Sequence, residues 1–321
     1  MTREIQHAAR RSAGLRRLYD QPYLLLIATT LAWAGNSAAS RMAVGEISPM
    51  VLTAGRWGLV LALLGLFANR AIREGWPRLK AQWPVVAAMG ALGFTAFNAL
   101  FYVAGHLTSA INISILQGAA PILVMIGALA LHRTPIRLGQ AVGAAVTLAG
   151  VAVVASHGDL RSLAQLRFNP GDLMMFVACA LYAGYTLALR GRDGATSLWF
   201  FAGLAAASFV SSLPLLAGEI ALGLAQAPTP TGWAILIYVA LAPSFFGQIF
   251  FIRAVHLLGP ARAGLFINLV PVFGALLAVL LIGEPFRLRH AAALGLVLAG
   301  ILGAETAARR DSACARSGET L

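Results

Sequence analysis

At 321 residues, with 59% hydrophobic and only 11% charged side chains, the chain cannot build a water-soluble surface, for which about 45–50% apolar and about 25% charged residues are usual. A formal charge of +12 would suit nucleic acid, but the basic residues stand singly or in small groups between apolar runs and form no single basic face. Their expected partner is the anionic inner leaflet of a bilayer. The two cysteines, Cys179 in an apolar run and Cys314 near the end, have neither disulfide nor metal spacing.

In chain order, a basic N-terminal tail (1-21, with Arg3 to Arg17) precedes the apolar run Leu24 to Thr30. This has the outline of a secretory leader, but a counterpart in the second half makes it an uncleaved first span. Apolar windows bounded by charge, Pro or Gly predict ten spans, near 22-44, 49-69, 84-105, 110-132, 136-156, 171-190, 196-217, 232-256, 261-282 and 286-306. The linkers are short, the longest being 157-169 and 218-231, and the termini, 1-20 and 307-321, read as disordered tails.

The chain matches itself at an offset of 150 residues: Pro121/Pro271, Pro135/Pro285, Arg137/Arg287, Leu148-Ala149-Gly150/Leu298-Ala299-Gly300, Phe101/Phe251 and His106-Leu107/His256-Leu257. Chance pairs Leu and Ala in apolar sequence, but not Pro, Arg, Phe and His at one constant offset. The domains are therefore a first five-helix repeat over 22-156 and a second over 170-306, joined by an external linker at 157-169. Five spans per copy is odd, so the second copy enters from the opposite side and the repeats are inverted. Charge tests this, because cytoplasmic loops collect Lys and Arg. With both termini in the cytoplasm, 18 basic residues lie inside and five (Arg41, Arg161, Arg167, Arg287, Arg289) outside.

The fold class is thus an all-α integral membrane protein. Its arrangement resembles the drug/metabolite transporter superfamily, EamA-type branch, through Trp33-Ala34-Gly35-Asn36, Arg56-Trp57, and Gly283-Glu284-Pro285 followed by Leu294 to Gly303. His132-Arg133-Thr134-Pro135 departs from the pattern, standing where a Gly-Glu-like pair is usual in the first repeat. The resemblance covers roughly 22-306 and implies a secondary transporter, often an exporter of amino acids or other amphipathic metabolites. It also implies a central cavity lined by spans one, three, four, six, eight and nine. Aromatic amino acid exporters are similar in outline.

No Asp or Glu is predicted mid-span; Asp172, Glu284 and Glu305 fall near ends. Ion-coupled carriers usually keep a buried carboxylate, so uniport or exchange is expected, persisting without proton or sodium gradients. His106 and His256, at span ends, read as interface anchors. Arg56 is the only basic residue well inside a span; the reading adopted is structural, with the side chain snorkelling to the outer interface or clamping helix-end carbonyls, against the alternative of an anion contact.

The candidate substrate-binding residues are uncharged. Trp33 and Asn36 share a helix side, as do Tyr182 and Tyr185, and form either an aromatic wall or interior helix contacts. Asn98, Tyr102, Asn112, Gln117, Ser244, Gln248 and Asn268 supply hydrogen-bonding groups on spans three, four, eight and nine. Pro121 and Pro271 are candidate helix kinks, leaving the carbonyls of Gln117 and Ile267 without their helical partners. Gly139, Gly143, Gly150, Gly295, Gly300 and Gly303 read as close helix contact.

No HExxH, CxxC pair, Walker loop or GxSxG occurs, so neither metal, cofactor nor enzyme chemistry is expected. The expected function is secondary transport of a small amphipathic metabolite, amino acids foremost, across the inner membrane. A drug or nucleotide-sugar carrier would want more cavity charge than Arg56 supplies. A membrane enzyme for lipid-linked substrates would show clustered His, Asp or Glu at one interface.

Overall fold

The computed structural model describes residues 19–155 and 169–318, and their regular structure is entirely helical. The basic stretch Arg3 to Arg17 and the linker residues 157–168, with Arg161 and Arg167, lie outside the described residues. Helix α1 is Pro22–Met42, α2 Pro49–Phe67, α3 Asn69–Ala81, α4 Trp83–Leu107 and α6 Leu138–Ala155. Between α4 and α6, helix α5 runs as Ala110–Leu116, a 3-10 turn Gln117–Ala119, and Ala120–His132. The second half comprises α7 Pro170–Ala188, α8 Leu198–Ala221, α9 Pro230–Leu258, α10 Pro260–Ile267, α11 Val270–Ile282 and α12 Leu288–Gly318.

Helix starts are written locally. Pro22, Pro49, Pro170 and Pro230 sit in first turns, where the missing amide costs nothing. Ser109, Asn169, Ser197 and Thr229 cap the following helices through their side chains. Among the described residues six helices (α2, α4, α5, α7, α8 and α9) are long and apolar enough to cross a membrane, and shorter apolar helices lie at Leu138–Val154, Val270–Ile282 and Leu288–Ala304.

Three expectations change. The linker between the second and third predicted spans is the helix α3, whose strongly amphipathic sequence, with Arg70, Arg73, Arg78 and Lys80, fell below the apolar threshold of a span. The predicted ninth span is two helices, α10 and α11, interrupted just before Pro271. The C-terminal segment expected as a tail continues α12 without a break through Gly318.

The 150-residue offset reappears in the backbone. A π-helical turn occupies Gly90–Ala96 in α4 and another Ala240–Phe246 in α9. Helices α5 and α11 each end on a left-handed residue, Arg133 (φ 51°) and Gly283 (φ 71°). The following amides reach back alike, Thr134 to the Ala128 carbonyl at 3.2 Å and Glu284 to the Ala278 carbonyl at 3.3 Å. Arg133 is the only non-glycine residue with positive φ among those described, so the departure at His132-Arg133-Thr134 keeps the turn while losing the residue that adopts it without strain.

The last helix of each half packs on the other. A Cβ on Gly150 would lie 2.7 Å from the Ala293 carbonyl oxygen, and one on Gly300 2.5 Å from the Gly143 carbonyl oxygen. Each pair is the other moved by 150, so the contact is a local pseudo-twofold. Phe101, Ile113, Met175, Ala278 and Val297 belong to one buried core, and Trp57, Val86, Phe200 and Leu204 to a second. Outward-facing Leu66, Phe67, Leu131, Val210, Leu222 and Leu280 are large and apolar, a surface suited to lipid.

Two carboxylates fasten helix starts from distant parts of the chain. Glu284 accepts from the amides of Ala110 and Ile111 (2.8 and 3.0 Å) at the start of α5. Glu219 accepts from Ser48 Oγ (2.7 Å) and from the amides of Met50 and Val51 (3.2 and 3.3 Å) at the start of α2. Both satisfy orphan amides and place negative charge at a positive helix end. Removing the first, in Glu284→Ala, should cost about 1–2 kcal/mol. The expected reading is a melting temperature in detergent lower by several degrees, with Glu74→Ala, at an exposed pair with Arg70, unchanged.

Candidate functional site

The site begins with proline chemistry. Pro243 lies inside the π-helical turn of α9 and has no amide to give the Val239 carbonyl. Ser244 Oγ takes that place, donating to the Val239 oxygen at 2.5 Å. Beside the same turn, Trp33 Nε1 donates to the Pro243 carbonyl (2.9 Å) and Thr29 Oγ1 to the Gly247 carbonyl (3.2 Å), tying α1 to α9. In α4 the matching turn holds Gly93, where a Cβ would come within 2.4 Å of Tyr185 Cβ. The missing side chain lets α7 approach.

Arg56 of α2 reaches into the space between these turns. It is 7% exposed, and its Nε donates to Ser244 Oγ at 2.5 Å. Nη1 donates to Asn98 Oδ1 (2.7 Å) and to Tyr102 Oη (2.6 Å). Tyr102 in turn donates to Asn36 Oδ1 at 3.1 Å. Asn98 Nδ2 donates to the Phe94 carbonyl inside the π-helical turn at 2.6 Å. Three helices thus meet on one guanidinium, two of the first half and one of the second, and α1 joins through Tyr102. Of the two structural roles expected from the sequence, neither snorkelling to the outer interface nor clamping helix-end carbonyls matches the geometry: a shell of neutral side-chain acceptors holds the charge inside.

Aromatic rings adjoin this cluster. The Arg56 guanidinium carbon lies 5.3 Å from the Trp57 ring centroid. Trp57 stacks on Phe94 (4.8 Å), Phe94 meets Tyr185 (4.9 Å), Tyr185 meets Tyr182 (5.5 Å), and Tyr182 meets Phe97 (5.5 Å). Trp33 instead faces Phe251 at 5.3 Å, on the α1–α9 side.

The structure therefore brings together Asn36, Asn98, Tyr102 and Ser244 around Arg56, with Tyr182 and Tyr185 in the adjoining chain of rings. Other candidates lie elsewhere. Asn112 Nδ2 donates to Thr108 Oγ1 (3.2 Å), which donates to Asp172 at 2.5 Å, a buried cluster at the starts of α5 and α7. Gln117 Nε2 donates to Ser37 Oγ at 3.0 Å. Gln248, one turn after Ser244, is half-buried, and Asn268 is buried at the break between α10 and α11. Both prolines do stand at helix interruptions. The Gln117 carbonyl, however, is not left bare: the 3-10 turn gives it the Ala120 amide. Sequence reasoning noted Trp57 only as part of the family resemblance and passed over Phe94 and Phe97, whose places one turn and one residue before Asn98 composition could not separate from ordinary core.

Comparison with known proteins agrees with this architecture. The signature of the EamA-like transporter family matches residues 21–156 and again 169–305. A Bacillus subtilis protein named uncharacterized transporter YyaM is 26% identical over 291 residues, 87% of this chain and 92% of its own. A Streptantibioticus cattleyicolor protein named probable terminal-alkyne amino-acid exporter is 26% identical over 294 residues, 90% of this chain and 95% of its own. A solved crystal structure 19% identical in sequence superposes with a TM-score of 0.62, covering 90% of this chain and 98% of that one, and shares the fold. Two copies of one family signature, helices apolar enough to span a bilayer and relatives named as transporters make this chain a multi-pass membrane transporter of the EamA-like family.

Proposed function

We propose that the chain crosses the cytoplasmic membrane ten times, as two inverted five-helix repeats with both termini inside, and exports or exchanges amino acids or related amphipathic metabolites. One observation carries this reading: Arg56 gathers Asn98, Tyr102 and Ser244, and through Tyr102 also Asn36, from both halves of the chain. Arg56 bridges matching helices of the two halves beside their interrupted turns, through Ser244 within that of α9 and Asn98 just after that of α4, and inverted-repeat carriers bind substrate at such interruptions. The rings from Trp57 to Phe97 offer an apolar body a surface beside the polar cluster. A drug or nucleotide-sugar carrier finds less support, since one buried cation is small provision for a diphosphate.

Counterflow of labelled amino acids into liposomes, without proton or sodium gradients, tests the activity. Uptake above empty liposomes is expected. Strict dependence on either gradient would overturn the uncoupled mechanism. Gln117→Ala and Gln248→Ala should each slow uptake a few-fold at unchanged protein yield. For topology, single cysteines at Asn69 and Gln226, both exposed, are placed in a background lacking Cys179 and Cys314. In intact cells an impermeant thiol reagent should label position 226 and spare 69; equal labelling, or labelling of 69 alone, would sink the inverted arrangement.

A further inference from the structure

We propose that Arg56 is the anchor for a substrate carboxylate, and that the substrate need carry no positive charge. The inference rests on the transporter reading above and narrows its substrate class to monocarboxylates with an apolar or aromatic body, amino acids being one kind among them.

The argument is a count of donors. A guanidinium carries five N–H groups. One on Nε goes to Ser244, and the two on Nη1 go to Asn98 and Tyr102. The two on Nη2 make no hydrogen bond to any described residue. No carboxylate among the described residues forms an ion pair with Arg56. Every acceptor it has is neutral, so the full charge remains uncompensated although the side chain is buried. Such a charge is costly to hold unless a counter-ion visits. The indole Nε1 of its sequence neighbour Trp57 is likewise buried without a partner among the described residues. A carboxylate is the ligand that satisfies a planar fork of N–H groups, and the stacked rings beginning at Trp57 suit the apolar body attached to it.

The same count bears on the amino group. Asp172 is held with Thr108 and Asn112, Glu219 lies at the start of α2 and Glu284 at the start of α5. None is available beside Arg56 to receive an ammonium. An α-ammonium therefore finds no carboxylate beside Arg56, only neutral oxygens, ring faces and a like charge, so recognition does not depend on it. N-acylated amino acids and 2-oxo acids, which lack that cation, satisfy the site as well as the zwitterion does.

The test is calorimetric binding to the purified full-length chain in nanodiscs, with four probes: N-acetyl-L-phenylalanine, L-phenylalanine, L-phenylalaninamide and N-acetyl-L-phenylalaninamide. The expected order has N-acetyl-L-phenylalanine at least as tight as L-phenylalanine, and both uncarboxylated amides roughly tenfold or more weaker, the scale of one charge-assisted hydrogen bond. Arg56→Gln should erase the preference for acid over amide, and Arg56→Lys should keep part of it. Melting temperature reports that each variant is folded. Equal binding of acid and amide by the wild type, or an undiminished preference in folded Arg56→Gln, would overturn the anchor; counterflow of the neutral amide would then leave the transporter reading standing. Binding of the zwitterion alone would overturn the claim that no positive charge is needed. Binding of none of the four to folded protein would overturn the inference and its aromatic substrate class together.

Discussion

Gly143→Ala and Gly300→Ala are expected to abolish most of the folded protein. A Cβ at 143 would stand 2.5 Å from the Gly300 carbonyl oxygen and 2.6 Å from the Ala304 amide nitrogen. A Cβ at 300 would stand 2.3 Å from Thr147 Oγ1 and 2.5 Å from both the Gly143 oxygen and the Thr147 nitrogen. The clashing atoms are mostly backbone, which cannot rotate away as a side-chain tip does, so α6 and α12 must separate along their shared face. Overpacking costs about 1–3 kcal/mol where side chains can yield, and this contact has little to yield. The controls are built in, since Gly295 and Gly303 lie on the same helix with nothing within 4 Å of an added Cβ. Gly295→Ala and Gly303→Ala should keep wild-type yield and melting temperature by fluorescence-detected size-exclusion chromatography. Equal behaviour of all four variants would show that the helices are not in contact along this stripe.

The second large effect is on transport. Asn98→Ala is expected to slow counterflow by tenfold or more while the protein stays folded, because Asn98 both accepts from Arg56 and braces the Phe94 carbonyl within the π-helical turn. A hydrogen bond to a buried charge contributes about 1.5–3 kcal/mol, which corresponds to roughly 10–150-fold in a rate or binding constant. Tyr102→Phe keeps the buried ring and removes only the oxygen that links Arg56 to Asn36. Its effect should be smaller than that of Asn98→Ala but in the same direction, and the double variant should be less than additive because both lesions fall on one guanidinium. Wild-type counterflow in both singles would make the cluster a structural clamp and move the transport path elsewhere.

Much of this architecture could be read from residues whose chemistry acts locally. Pro121 and Pro271 announced interruptions, because a proline in the interior of a predicted span removes one helical hydrogen bond and crowds the preceding turn. The 150-residue offset announced the duplication, and the backbone repeats it down to the π-helical turns at 90–96 and 240–246. What depends on distant partners was not legible. Arg56 carries no mark in the sequence that Ser244, 188 residues away, waits for it, and a lone arginine two turns into a span snorkels in many proteins. Asn112 looked like a cavity amide until Asp172 was found 60 residues along the chain but within hydrogen-bond reach. Helix α3 was missed because its amphipathic sequence is too polar for the rule that finds spans. Glu284 looked peripheral because its partners are amides, which sequence does not display.

The mutual embrace of Gly143 and Gly300 also sets a timetable for biogenesis. Helix α6 leaves the ribosome about 150 residues ahead of the stretch of α12 that fits it, and at roughly 5–20 residues per second this is a delay on the order of 10–30 s. Throughout that interval the bare glycine face of α6 is open to lipid, to the insertion machinery or to a neighbouring nascent chain. The first half is synthesised and inserted, yet its closing contact does not exist until the final helix arrives. Chains truncated before α12 would therefore lack this contact for good, and quality control that senses it would act only once α12 has been made.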